Sequence, residues 1–224
     1  MENKKRIGNY VEFKDSNFAT LYLKDNEVLK VYDSTIRSDF RLSEKMFDEL
    51  SSLKSKAFLN LRDCYMDDIN IEGYTENVVS AYSYDFIEKM STKMIDMPME
   101  YTIESLYRFK NLVELLNMHR IMICDAHSLN VIPNENGLVI IDPDRYYFAP
   151  DAHAYNLYKI NEYISDLWGD EYGLFDDDPE RDKIKNLFYS DDLFHYLEVM
   201  QSRLNEKTLR DLLDKVYRKK RRNI

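Results

Sequence analysis

The chain has 224 residues, 44% apolar and 13% aromatic, which is enough to bury a core as one domain or two closely packed lobes and excludes overall disorder. Its 31 basic and 41 acidic side chains leave a formal net charge of -10, which argues against a general nucleic-acid binder, because phosphate contacts need an accumulated positive surface. Cys64 and Cys124 lie far apart without partners at metal-ligand spacing, so they read as reduced core thiols and suggest neither a disulfide framework nor a zinc site.

The opening MENKKRIGNYVEF is charged and lacks an apolar stretch like that of a signal peptide. No later segment carries the roughly 18 uninterrupted apolar residues of a membrane span. A cytoplasmic location is the default expectation, with neither membrane nor nucleic acid as a partner. Tyr10 to Phe13 and Ala19 to Leu23 are short β-prone runs, and Glu27 to Tyr32 alternates with Val28, Lys30 and Tyr32 on one face. Lys24-Asp25-Asn26 is short enough for a hairpin. From Ser43, a plausible N-cap, the period becomes helical through Met46, Phe47 and Leu50.

Phe58 to Tyr65 and Asn77 to Tyr84 read as two further strands, joined by a polar loop with Gly73. After Pro98 the pattern is mostly helical. Leu106, Phe109, Val113 and Leu116 form one stripe, Leu193, Leu197, Met200 and Leu204 a later one, and Leu209, Leu212, Leu213 and Val216 the last. One strand pair interrupts the helices, Asn130 to Ile132 and Leu138 to Ile141 around the turn Asn134 to Gly137. The expectation is an α+β protein with a β-rich part at 1–84 and a mainly helical part at 85–224. The eighteen tyrosines read as core and interface residues.

One stretch could carry chemistry. Asp125 is followed five residues later by Asn130, and twelve residues further an apolar strand delivers Asp142. Phosphoryl transfer from ATP needs a carboxylate to orient or deprotonate the acceptor, together with oxygen ligands from more than one segment to hold Mg²⁺ against the phosphates. Asp125, Asn130 and Asp142 would supply those groups.

This arrangement resembles the catalytic and metal-binding loops of the protein-kinase-like superfamily, H-R-D-x4-N followed by D-F-G. The likeness covers roughly residues 10 to 165 and lies in the skeleton: Ile123-Cys124 stands in place of His-Arg, and Pro143-Asp144 in place of Phe-Gly. His127 falls where the D-x-H-x-x-N loop of aminoglycoside and choline phosphotransferases has its histidine, so a contact with the transferring phosphate and a structural role both stand open. The resemblance implies a two-lobed fold, with a small antiparallel β-sheet lobe bearing one helix and a reduced, mainly helical second lobe, together forming one domain.

It further implies an ATP-dependent, Mg²⁺-assisted transfer of the γ-phosphoryl to a hydroxyl of a protein or small molecule. Asp125 would orient the acceptor, and Asn130 and Asp142 would hold Mg²⁺. Lys30 would clamp phosphate, and Glu44 would orient Lys30, with Glu49 a competing partner. The backbone of Ala81 to Tyr84, Ala81 and Ser83 above all, would read adenine. Lys30 as a solvated strand residue and Glu44 as a dipole-favoured first-turn residue are the plain alternatives. Asp144 could hold a second Mg²⁺, pair with Arg145, or be a solvated turn residue.

The chain departs from the family at Lys14 to Ala19, which has no glycine where G-x-G-x-x-G would cover the phosphates; a Ser/Asn turn with Phe18 at its tip stands there. Only a short connection, Arg145 to Tyr155, precedes the next helical run, so little activation segment remains. A nucleotide-binding or interaction module without turnover, and a nucleotidyl transferase on the same fold, are the rival expectations.

Overall fold

Strand alternation and a single helix cap account for most of the first half of the chain. A computed structural model of the protein describes residues 6–16, 18–71, 73–92, 94–125, 130–159 and 162, with eight further positions between 205 and 218. The strands β1 (Arg6–Ile7), β2 (Tyr10–Asp15), β3 (Ala19–Lys24), β4 (Glu27–Tyr32), β5 (Leu61–Ile71) and β6 (Tyr74–Asp85) form one sheet in the order β1-β2-β3-β4-β6-β5. Every neighbouring pair is antiparallel.

The β3–β4 hairpin closes by pairing Lys24 with Glu27, and Asp25 takes the left-handed conformation (φ 51°) that the tight turn demands. Helix α1 (Glu44–Ser52) starts where its cap predicts: the Ser43 hydroxyl accepts from the Met46 amide at 3.2 Å. Its Met46, Phe47 and Leu50 are buried, and the helix packs on β5.

The β5–β6 hairpin extends past the two strands expected at 58–65 and 77–84. Its outer part carries only the short alternation Ile69-Asn70-Ile71, so periodicity marks it weakly. Cross-strand pairs carry it instead: Asp68 opposes Asn77, whose Nδ2 donates to Asp68 Oδ1 at 2.7 Å.

The chain divides into two compact units. The first contains Met1–Lys54, Leu59–Glu88 and Asp142–Tyr147, and the second Ser55–Phe58, Lys89–Ile141 and Phe148–Ile224. The division therefore differs from a single cut at residue 84. The sheet strand β6 runs on to Asp85, and residues 142–147 return to the sheet unit. Phe58 leaves the expected strand and instead bridges Ile140 in the second unit.

That second unit is built on α2 (Met99–Met118), which begins after Pro98 and buries Leu106, Phe109, Leu112, Val113 and Leu116 completely. Helix α2 packs on β7 (Ile121–Ile123) and on β9 (Gly137–Ile140), whose hairpin partner is β8 (Val131–Asn134). Residues 152–159 are helical, starting earlier than the expected 156. Strand β7, only three residues long, was not expected, since so short an apolar run is no different from the end of α2. At the β8–β9 turn Gly137 has φ 121°, and a Cβ there would sit 2.9 Å from Ser105 Oγ, so this position needs glycine.

The helical stripe at 193–204 lies outside the described residues, as do Leu209, Leu212, Leu213 and Val216, although 210, 211, 214 and 215 are helical. The architecture is α+β. No helix among the described residues is long and apolar enough to cross a membrane.

Candidate functional site

Lys30 lies in the middle of β4, on the face shared with Val28 and Tyr32, and its cross-strand neighbour on β6 is Tyr82. Only 7% of the residue is exposed. A buried ammonium is stable only when paired and fully hydrogen-bonded. The pairing, and two hydrogen bonds for the ammonium's three donors, come from one short segment 112 to 114 residues away in sequence. Lys30 Nζ donates to Asp142 Oδ1 at 2.7 Å and to Asp144 Oδ2 at 2.6 Å.

The other oxygen of Asp144, Oδ1, accepts from the Tyr32 hydroxyl at 2.6 Å and from the Tyr82 hydroxyl at 3.0 Å. Tyr32 in turn accepts from the Leu42 amide at 2.9 Å. The result is a closed chain of donors and acceptors running from the backbone through Tyr32 and Asp144 to Lys30. The two tyrosine rings also flank the ammonium, with centroids 5.6 and 5.8 Å away.

The electrostatics follow from this geometry. Burial works against the Lys30 charge, but the carboxylates of Asp144 and Asp142 outweigh it and hold the ammonium above its ordinary value. Burial pushes the Asp144 carboxyl up, against the pull of Lys30. Burial and the neighbouring Asp144 keep both tyrosine hydroxyls protonated, well above their usual range, so they act as donors.

The two carboxylates differ in access. The Asp144 side chain is 10% exposed and that of Asp142 is 38% exposed. Asp142 is also set apart by its backbone (φ 59°, ψ 75°), which is left-handed immediately before Pro143. A residue preceding proline favours extended backbone, so this conformation is strained twice over. Asp25 serves a hairpin and Arg120 follows the end of α2, whereas Asp142 introduces only the 3-10 turn Pro143–Arg145. Strained backbone of this kind clusters at functional sites.

In the second unit, β7 leads into Asp125, which is partly buried two residues beyond the strand. Asn130 is buried, and its Nδ2 donates to the Asp125 carbonyl at 2.9 Å. Its own carbonyl accepts from the Ile141 amide at 2.7 Å. Strand β7 is held from the helix at 152–159 by Asn156, which is fully buried. Asn156 Oδ1 accepts from the Ile123 amide at 2.7 Å and Nδ2 donates to the Ile121 carbonyl at 2.8 Å, as a neighbouring strand would.

Several expected placements change. Glu44 is exposed in the first turn of α1, where the helix dipole favours it, and the carboxylates that grip Lys30 come from Asp142 and Asp144. Asp144 is neither a solvated turn residue nor an Arg145 partner; both its oxygens are committed to Lys30, Tyr32 and Tyr82, which leaves it poorly suited to a cation. Ala81 and Ser83 lie inside β6, laddered between β4 and β5, with the Ser83 hydroxyl accepting from Asp63. Such a strand interior is not a free edge for reading adenine, and the chain leaves the sheet only after Asp85.

At the β2–β3 turn the Ser16 amide donates to the Ala19 carbonyl at 3.1 Å and the Ala19 amide to Ser16 Oγ at 3.2 Å. Those two amides serve the turn itself. Phe18 stacks on Phe40 with centroids 6.2 Å apart. His127 lies outside the described residues. Among the described residues no group of three or more His, Cys, Asp or Glu side chains is arranged to hold a metal ion.

Taken by itself, the half-exposed Asp142 carboxylate is the kind of oxygen ligand a hard cation prefers. Tyr32, Tyr82 and Asn156 were missed as site-building residues. Tyr32 carried a signal, being two residues from Lys30 on one strand face; Tyr82 and Asn156 carried none, since strand register and the partners of a helical asparagine appear only in the fold. No protein-family model matches the chain, and no curated protein matches it, so the site's meaning rests on its own geometry.

Proposed function

We propose that the protein is a kinase-like phosphotransferase that moves the γ-phosphoryl of Mg-ATP to a hydroxyl acceptor. The observation that carries this reading is the Lys30–Asp142 ion pair at 2.7 Å. A strand lysine and an aspartate that follows an apolar strand are the two residues a kinase-like site uses to hold phosphate and cation, and here they meet across 112 residues of sequence. The strained backbone of Asp142 supports the same reading.

In this reading Lys30 would contact the phosphates, and Asp142 and Asn130 would hold Mg²⁺, which would offset negative charge on the transferring group. Asp125 orients the acceptor hydroxyl and takes its proton. The bond from Asn130 to the Asp125 carbonyl ties these two residues together ahead of the reaction.

The β2–β3 turn favours a second reading, a nucleotide-binding module without turnover. With the Ser16 and Ala19 amides engaged in their own turn, fewer backbone donors remain to cover a phosphate. Incubation with Mg²⁺ and ATP labelled at the α or γ position separates the readings. γ-label on an acceptor, lost in Asp125→Asn and Asp142→Asn, is the expected result. α-label on an acceptor means nucleotidyl transfer, and nucleotide-dependent thermal stabilisation without label transfer means a binding module. No stabilisation by any nucleotide contradicts the whole assignment.

A further inference from the structure

We propose that Asp144 is the positioning residue for Lys30, doing from the chain after β9 what a helix glutamate was expected to do, and that Asp142 is the exchangeable partner. What Lys30 holds rests on the phosphotransfer reading; how Lys30 is held does not.

Three observations separate the two carboxylates. Asp144 is the more buried and receives three hydrogen bonds, from Lys30, Tyr32 and Tyr82. Among the described residues Asp142 receives one side-chain bond, from Lys30, and it is the more exposed of the two. Tyr32 is itself fixed by the Leu42 amide, and Tyr82 is completely buried between β4 and β5, so neither hydroxyl can turn away without loss. A carboxylate gripped by three donors in an apolar wall cannot leave; one with a single partner and solvent access can.

The consequence is a division of labour within one compact unit, to which Lys30, Tyr32, Tyr82, Asp142 and Asp144 all belong. Before a ligand binds, Asp142 and Asp144 share the ammonium. When a phosphate and its cation arrive, Asp142 exchanges Lys30 for the cation, and Asp144 keeps the lysine aimed. Because the anchor is a tight 3-10 turn, Pro143–Arg145, and the sheet face it meets, the aim of Lys30 does not depend on Glu44 or on any movement of α1.

The test compares wild type with Asp144→Asn, Tyr82→Phe and Glu44→Gln in the full chain. The first readout needs no nucleotide: acylation of the Lys30 amine followed by mass spectrometry, with the other lysines as internal controls. Losing one of two carboxylate partners is expected to speed labelling of Lys30 about tenfold in Asp144→Asn, while the other lysines keep their wild-type rates. Tyr82→Phe, which keeps the charge and removes one donor, is expected to fall between the two and keeps the test alive should Asp144→Asn fold poorly. Glu44→Gln is expected to match wild type.

The second readout is Mg-ATP affinity, expected to weaken about tenfold or more in Asp144→Asn and to stay unchanged in Glu44→Gln. Unchanged Lys30 labelling in both Asp144→Asn and Tyr82→Phe, or faster labelling in Glu44→Gln, overturns the anchor. Absence of Mg-ATP binding in wild type overturns the phosphotransfer reading instead, and the labelling still decides the anchor.

Discussion

Lys30 with Asp144 and Asn130 with Asp125 are both polar pairings made by a buried side chain, but they are built in opposite ways. Lys30 and Asp144 are 114 residues apart and joined through side chains and charge, with two tyrosine hydroxyls completing the shell. Asn130 and Asp125 are five residues apart and joined by one neutral bond from a side chain to a backbone carbonyl. The first pairing exists only because distant parts of the chain meet; the second joins residues close in sequence. A buried charge pair therefore bears on the stability of the whole sheet unit, whereas the short-range bond acts locally.

The largest expected effect tests that contrast. Lys30→Ala leaves the buried Asp144 without a cation and is expected to cost about 3–5 kcal/mol in denaturant unfolding, whereas Asn130→Ala is expected to cost about 1 kcal/mol. Replacing both partners, as Lys30→Met with Asp144→Leu, is expected to recover most of the loss, because two apolar side chains need no pairing. Equal costs for Lys30→Ala and Asn130→Ala would break the comparison.

Next in size is Tyr32→Phe, which removes a donor to Asp144 and strands the Leu42 amide. Chemical denaturation is expected to show a loss of about 1–3 kcal/mol. Tyr82→Phe removes a longer bond and strands no amide, so it is expected to cost less.

Smaller still is the backbone term at Asp142. Both Asp142→Ala and Asp142→Gly lose the bond to Lys30, but only glycine accepts φ 59° freely, so Asp142→Gly is expected to be the more stable of the two by about 1 kcal/mol. Equal stabilities would mean that the left-handed backbone there stores no strain.

The smallest effect concerns Cys64, which opposes Tyr82 on β5. Burial, helped by the Glu44 and Asp48 carboxylates, pushes its thiol up to about 11. Alkylation at pH 8 is expected to be slower than for a free cysteine and to accelerate only as the pH approaches that value. The folded thiol ionises later than the unfolded one. Stability is therefore present below the ordinary thiol range and falls as the pH rises from that range toward 11. Reaction at the free-thiol rate at pH 8 would contradict this.

How much of this was legible in sequence depended on whether the cause was local. Strands β2, β3 and β4 and the start of α1 at Ser43 follow from alternation and capping, which act within a few residues. The D-x4-N loop and the Asp after β9 were visible for the same reason: spacing and strand ends are local facts. The partner of Lys30 was not. An acidic chain offers many carboxylates, and Glu44, Asp142 and Asp144 cannot be ranked until the chain brings the 3-10 turn to the sheet. The polar half of the β5–β6 hairpin was hidden because cross-strand pairs, not apolar period, hold it. Asn156 was hidden because its role is to stand in for a strand at β7.

The central claim is that the Lys30 site handles phosphate. Calorimetric titration of the protein with Mg-ATP tests it most directly. The account predicts saturable binding that requires Mg²⁺, is lost in Lys30→Met with Asp144→Leu, and is weakened in Asp142→Asn. Absence of binding by the wild-type chain, or binding that is indifferent to Mg²⁺ and to all of these substitutions, would contradict it.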